Sequence, residues 1–192
     1  GEIYIKSNST GIYAENSGFL ENNKLISGDG DGQTGIYSVN SAGVSNSASG
    51  KIVLTGGGNV GIYNVSGTST RNDNIISLIN GGSSGAPGIG IYADGSITNI
   101  GNISTYDGSA GIYAFNGSLT NAGIISAGNK GIGIYADNET VALNISSGVN
   151  TGNNSVGVYG KNNSVITANG SMSIGTDSFG YVLESGTKLN NS

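Results

Sequence analysis

Apolar and polar residues alternate around a tripeptide that recurs along the whole chain. Gly-Ile-Tyr begins at Gly11, Gly35, Gly61, Gly90, Gly111 and Gly133, and it is followed by the variants Gly157-Val158-Tyr159 and Gly180-Tyr181-Val182. Successive copies are 21 to 29 residues apart. Self-similarity at such a period is typical of a solenoid, in which each repeat forms one coil.

The alternation within each copy predicts a β-strand with one buried face. We expect the isoleucine and the residues two places before and after it to point inward, as Ile89, Ile91 and Ala93 do in the fourth copy. Glycine, tyrosine and the residue two places after the tyrosine should point outward, and this last residue is often charged: Glu15, Asp94, Asp137, Lys161 and Glu184. The strands end at residues suited to tight turns, namely Asn16, Asn40, Ser66, Gly95, Asn116, Asn138, Asn162 and Ser185. We expect the stacked asparagines of this set to form an amide ladder.

A second signature, an asparagine followed by Ile-Ser, comes after most copies of the tripeptide. Its clear copies end at Ser27, Ser77, Ser104 and Ser126, and the remaining versions are Lys51-Ile52-Val53-Leu54, Asn144-Ile145-Ser146 and Met172-Ser173. Each coil therefore holds at least two strands, and we expect three. A leucine-rich-repeat fold is not supported, because leucine is sparse. A left-handed β-helix of hexapeptide repeats is also disfavoured, because its coils are shorter than the repeats of this chain. The prediction is an all-β protein, a right-handed parallel β-helix of about eight coils, with residues 1–192 as one segment.

Coil length varies, and we expect the extra residues just before the next Gly-Ile-Tyr. These stretches are 28–32, 55–58, 81–88 and 149–155. Insertions gathered on one edge of a solenoid often mark its binding face. The alternative, that this corner merely faces solvent, stays open.

Charge and composition exclude several kinds of function. Seven basic residues are scattered among twelve acidic ones, giving a net charge of −5, so a nucleic-acid partner is not expected. Histidine and cysteine are both missing, which leaves no imidazole base, thiol nucleophile or cysteine zinc site. Asp94 and Asp137 lie two coils apart with Phe115 between them, so they do not form the close carboxyl pair of a retaining glycosidase. Asp137, Lys161 and Glu184 instead predict a surface charge ladder. We expect no enzyme and no cofactor.

Seven outward tyrosines should form a ladder at strand spacing, and they are the candidate ligand-binding residues: Tyr13, Tyr37, Tyr63, Tyr92, Tyr113, Tyr135 and Tyr159. An exposed aromatic row can stack on sugar rings or anchor a protein partner. Cross-strand stabilisation is the favoured alternative, because the row runs the full length and singles out no site. Asp29 and Asp31, in Gly28-Asp29-Gly30-Asp31-Gly32, are faintly similar to a calcium loop, although a plain turn is the better interpretation.

The pairing of Gly-Ile-Tyr-Ala-x-Asn at 111–116 with Asn-x-Gly-x-Ile-Ser at 121–126 resembles the passenger repeats of type V autotransporter adhesins, especially those of fusobacteria. The resemblance covers essentially the whole chain. It implies a right-handed β-helix displayed outside the outer membrane, and a piece of a longer passenger whose signal peptide and translocator barrel are missing here. It matches repeat positions and carries no binding residue over.

The resemblance thus implies a cell-surface adhesin segment that mediates attachment to host cells or to other bacteria. Its partners would be a host-cell glycan, a protein receptor or partner bacteria, with membrane contact only through the missing barrel. The segment would act either as the binding region or as a structural stalk. The alternative function is a β-helical polysaccharide-active enzyme or a tailspike-like carbohydrate-binding module, which needs an acid cluster in one groove.

Overall fold

The chain folds into an all-β solenoid in which neighbouring strands are parallel. The computed structural model describes residues 1–80, 85–144 and 147–191. In chain order the strands are β1 Ile3–Ile5, β2 Thr10–Glu15, β3 Phe19–Asn22, β4 Leu25–Asp29, β5 Thr34–Val39, β6 Gly43–Asn46, β7 Lys51–Thr55, β8 Val60–Val65, β9 Ser69–Asn72, β10 Ile75–Ile79, β11 Ile89–Asn99, β12 Asn102–Thr105, β13 Ala110–Asn121, β14 Ile124–Ala127, β15 Ile132–Asp137, β16 Thr140–Leu143, β17 Gly148–Thr151, β18 Val156–Lys161, β19 Val165–Ala168, β20 Ser171–Ile174, β21 Phe179–Leu183 and β22 Lys188–Asn191. No helix in these ranges is long and apolar enough to cross a lipid bilayer.

The strands stack into three faces. The tyrosine face is the stack β2-β5-β8-β11-β13-β15-β18-β21, whose strands carry the Gly-Ile-Tyr repeat. The second face contains β3, β6, β9, the ends of β11 and β13, β16, β19 and β22, and the third face is the stack β1-β4-β7-β10-β12-β14-β17-β20. The predicted parallel β-helix of about eight coils, with three strands in a full coil, is confirmed. Its right-handed winding stays a prediction.

Three columns of aliphatic side chains, one from each face, fill the interior. They include Ile36, Ile62, Ile91, Ile112, Ile134 and Val158 from the tyrosine face, Val44, Ile97, Leu119, Val141 and Ile166 from the second face, and Ile26, Ile52, Ile76, Ile103, Ile125 and Val149 from the third face. Burying one such side chain stabilises the fold by about 1.5–3 kcal/mol. The stability is therefore spread evenly along the solenoid, coil by coil.

The repeated glycine points inward, which corrects the predicted alternation. A Cβ on Gly111 would lie 2.3 Å from Ile125 Cγ2 on the third face and 2.6 Å from the Gly133 carbonyl oxygen in the next coil. Only a residue without a side chain allows the two faces to approach so closely. Because glycine and isoleucine both face the core, the residue before the glycine turns outward. Ile89 is accordingly half-buried and lies outside the core cluster, although we predicted it to be inside.

The corner after the tyrosine strand has left-handed backbone in nearly every coil. Positive φ angles occur at Asn16, Asn40, Ser66, Gly95, Asn116, Asn138 and Asn162, as predicted. Ser185 is the exception, since the positive φ of the last coil falls on Gly186. The amide ladder predicted for this corner is reduced to one exposed rung, in which Asn138 Nδ2 donates to Asn116 Oδ1 over 3.1 Å.

A buried amide ladder forms instead at the end of the second-face strands. Asn22, Asn46, Asn72, Asn99 and Asn121 stack there. Each of the first four amide nitrogens donates to the side-chain oxygen of the next asparagine over 2.7–2.9 Å, and Asn121 Nδ2 donates to the Gly123 carbonyl. All five side chains are inside the protein. The ladder therefore joins coils through polar contacts where aliphatic packing would otherwise continue, as it does at Leu143 in the following coil.

The sixth coil also differs from the prediction. Val149, not Ile145, pairs with Ile125 below and with Met172 above, so β17 takes the place that we assigned to Asn144-Ile145-Ser146. Residues 145 and 146 lie outside the described ranges, as do 81–84 of the predicted loop 81–88. The corner before Gly-Ile-Tyr holds only four residues in most coils, including 152–155, and the stretch 80–88 is the long exception. The extra residues of the second coil fall at 47–50, on a different corner.

Candidate functional site

The seven tyrosines of the tyrosine face form one continuous stack of rings. Neighbouring ring centroids are 4.3–5.5 Å apart, and the angle between ring planes is 3–25° from Tyr13 to Tyr159. The strands impose this spacing, because each tyrosine pairs directly with the tyrosine of the next coil. The predicted ladder is thus confirmed as a structure, while its role in ligand binding stays a prediction.

Stacking decides which parts of the rings are available for contact. A sugar ring cannot enter between two rings whose centroids are about 5 Å apart, because two layers of van der Waals contact need roughly 7–8 Å. Both faces of every interior ring are therefore covered by neighbouring rings. The tyrosines present their edges and hydroxyl groups, which suit packing against a flat surface and hydrogen bonding.

Two further columns complete the outer surface of the tyrosine face. From the second to the seventh coil, the upstream column consists of the residues immediately before each glycine: Thr34, Val60, Ile89, Ala110, Ile132 and Val156. Over the same coils, the downstream column consists of the residues two places after each tyrosine: Val39, Val65, Asp94, Phe115, Asp137 and Lys161. Every member of the two columns is half-buried and lies outside the core cluster. The sequence reasoning missed the upstream column because it turned the glycine outward.

Phe115 adds an aromatic ring beside the tyrosine stack. Its ring lies 5.2 Å from that of Tyr92 at 60° and 6.2 Å from that of Tyr113 at 77°. Such tilted contacts are favourable for aromatic pairs, since the edge of one ring meets the face or edge of another. Around the fifth coil the tyrosine face is therefore at its most aromatic.

The other two outer faces have a different chemistry. The second face exposes mostly hydroxyl side chains, among them Ser69, Ser96, Thr98, Ser118, Thr120 and Thr140. Along the middle of the third face runs a column made largely of serine, with Ser27, Ser77, Ser104 and Ser126, beside a column in which apolar and polar residues mix. Among the described coils, the most continuous aromatic and aliphatic surface lies on the tyrosine face, where the charged residues are confined to the downstream column. The contrast marks this face as the candidate contact surface.

The charges at the edge of the tyrosine face are held by local contacts. Lys161 Nζ lies 3.1 Å from Asp137 Oδ2 and 5.4 Å from the centre of the Tyr135 ring. Hydrogen bonds to Tyr135 and Asp137 raise the pKa of Lys161 above its ordinary value. This pair confirms part of the predicted charge ladder, but Glu184 accepts a hydrogen bond from the Tyr159 hydroxyl group instead of continuing it.

Burial and hydrogen bonding raise the pKa of several hydroxyl groups of the tyrosine stack. Burial, followed by a hydrogen bond with Tyr135, raises the pKa of Tyr113 to about 12. At the ends of the stack, hydrogen bonds to Glu15 and Glu184 raise the pKa values of Tyr13 and Tyr159. Tyr13, Tyr113 and Tyr159 therefore hold their hydroxyl protons more tightly than free tyrosine does.

Asp29 and Asp31 make contacts of the kind found in a plain turn. Asp29 Oδ1 lies 2.8 Å from Lys6 Nζ, and this hydrogen bond lowers the pKa of Asp29. Asp31 Oδ1 accepts a hydrogen bond of 2.7 Å from the Gly57 backbone N–H. No group of three or more acidic, histidine or cysteine residues in the described ranges is arranged to hold a metal ion.

Glu139 is a buried acid that the sequence reasoning missed. It lies in the corner after Asn138 and is only 2% exposed. Its Oε2 accepts a hydrogen bond of 2.8 Å from the Gly117 N–H, whereas its buried Oε1 has no hydrogen-bond partner within the described part of the chain. Burial raises the pKa of Glu139 to about 7, against the lowering effect of the Gly117 N–H, and the charge of Asp94 adds to the rise. No sequence motif distinguishes this acid, because its hydrogen-bond partner Gly117 lies in the neighbouring coil.

Comparisons with protein-family models, with curated proteins and with solved structures give no match. The tyrosine face and the corner at Glu139 are therefore interpreted from their own geometry and chemistry.

Proposed function

We propose that the chain is a segment of a surface-displayed autotransporter adhesin and that it acts as a stalk, holding a region that attaches to host cells or to other bacteria. The observation that carries this proposal is the persistence of the glycine and tyrosine columns through seven of the eight strands of the tyrosine face. A surface that repeats at every coil offers no unique pocket, whereas it suits a spacer of constant cross-section. The resemblance of the repeats to autotransporter passengers supports the adhesin assignment.

A coil deletion in the producing bacterium tests the stalk. Removing residues 111–132 joins Ala110 to Gly133, which deletes one coil and keeps every column in register. Attachment to host cells should persist after this deletion, because a stalk one coil shorter still holds its binding region. Removal of β13 alone is the control, because it breaks the register and should abolish display. Lost attachment with normal display would overturn the stalk in favour of a binding region.

Antibodies raised against the purified chain test its location and its contacts. They should stain intact cells of the producing bacterium, and staining only after permeabilisation would overturn surface display. The purified chain should give no saturable binding to host cells or to a glycan array. Saturable binding that is lost in a Tyr63→Ala/Tyr92→Ala variant would instead assign ligand binding to the tyrosine ladder.

A further inference from the structure

The tyrosine face has the size of a stable protein interface. Its outer surface from the first to the seventh tyrosine covers seven coils at about 4.8 Å each and six residues at about 3.3 Å each, or roughly 34 by 20 Å. Two such surfaces together would remove about 1,360 Å² from water, which lies within the roughly 1,200–2,000 Å² of stable complexes. The serine- and threonine-rich outer faces give no comparable apolar area.

The shape of this surface matches that of a copy of itself. The ring stack is flat, its ring faces are already covered, and its edges present a regular row that repeats at each coil. A second sheet packs face to face at about 10 Å through such side chains. A partner with the same coil spacing meets every row, whereas a partner with a different spacing loses register. We propose that the tyrosine face binds the tyrosine face of a second copy of this chain, so that two solenoids pair side by side.

The distribution of charge selects one orientation of the pair. The acids at the middle of the face, Asp94 and Asp137, belong to the downstream column, where Asp137 is paired with Lys161, while the upstream column is uncharged. A two-fold axis parallel to the solenoid axis sets each downstream column against the partner's upstream column. A two-fold axis along the strands, centred on the fourth coil, would set the two downstream columns against each other and bring the two copies of Asp94 together. Like charges across an interface are unfavourable, so the two solenoids lie with their axes parallel.

The pairing does not depend on the adhesin assignment, and sedimentation of the purified chain tests it. The chain of 19.0 kDa should sediment as a dimer at micromolar concentration. Ala110→Glu places an unpaired charge in the upstream column and should weaken dimerisation by about 100-fold or more. The matched control is Thr120→Glu, which adds the same charge to the same strand on the exposed second face and should leave the dimer intact.

Cysteine crosslinking tests the orientation, because the chain has no cysteine of its own. An equimolar mixture of Ala110→Cys and Phe115→Cys should give disulfide-linked heterodimers, since the fifth coils meet with opposite columns in contact. Phe115→Cys mixed with Val65→Cys should crosslink only if the axes are antiparallel, a result that would overturn the proposed orientation. A wild-type chain that stays monomeric, or an Ala110→Glu variant that dimerises normally, would overturn the pairing. If the chain is a monomer that binds glycans, and Ala110→Glu removes this binding, then the tyrosine face binds a carbohydrate and not a second copy.

Discussion

Replacing Asn99 with alanine removes the fourth rung of the buried amide ladder. Asn99 Nδ2 donates to Asn121 Oδ1 over 2.7 Å, and its Oδ1 accepts from Asn72 Nδ2 over 2.8 Å. Loss of these two hydrogen bonds costs about 2 kcal/mol. The Asn121 oxygen is then buried without its partner, which adds about 1–3 kcal/mol, while Asn72 Nδ2 keeps its bond to the Asn74 carbonyl. The expected loss in free energy of unfolding is about 3–5 kcal/mol.

Urea unfolding followed by circular dichroism measures this loss. The matched control is Thr98→Ala, because Thr98 precedes Asn99 and points outward from the second face. We expect the control to stay within about 0.5 kcal/mol of the parent chain. The double variant Asn72→Ala/Asn99→Ala should cost less than the sum of the single variants, since both remove the same ladder bond. Equal effects of Asn99→Ala and Thr98→Ala would refute the reasoning.

Gly133→Ala should lower the free energy of unfolding by about 1–3 kcal/mol, since its Cβ would lie 2.4 Å from Val149 Cγ1. Urea unfolding measures this loss, and the control is Gly18→Ala, where the added Cβ meets open space. Equal urea midpoints for the two variants would contradict the inward orientation of Gly133. Tyr92→Ala should cost about 1–3 kcal/mol by losing three ring contacts, with Tyr63, Tyr113 and Phe115. The melting temperature of Tyr92→Phe should match that of the parent, and similar losses in both variants would assign the effect to the hydroxyl group. Because burial raises the pKa of Glu139 from 4.5 to about 7, the folded chain holds this proton more tightly, so stability should fall as pH rises across that interval. Glu139→Gln should remove this dependence of stability on pH, and at about pH 8 it should unfold at a higher urea concentration than the parent. An unchanged pH dependence would show that other groups cause it.

The repeat made most of the fold accessible from the sequence. In a solenoid each strand pairs with its equivalent in the next coil, so matching positions in the sequence become contacting positions in space. The register of Tyr92 with Tyr113 and of Ile103 with Ile125 follows directly from aligned repeats. The left-handed corners were also predictable, because asparagine and glycine tolerate that backbone.

Contacts between different faces of a coil were not accessible in the same way. Gly90 faces the core because Ile103 approaches it from the third face, and regular alternation along one strand gives no sign of this. Val149 and Ile145 are both β-branched, and the pairing with Ile125 decides between them. Glu139 accepts its hydrogen bond from Gly117 in the neighbouring coil. The missing information in each case concerns contacts with residues on other strands.

The stacking of the solenoid also determines how the chain responds to mechanical force. Strands pair only with strands of the adjacent coils, so a pull on one end loads the terminal coil first and leaves the others folded. Each released coil of 21 to 29 residues adds about 70–100 Å of extended chain. The eight coils, which span about 40 Å when folded, can extend to roughly 650 Å. A tether built in this way lengthens in discrete steps and dissipates work at each step, so a sudden load is absorbed before it reaches either attachment point.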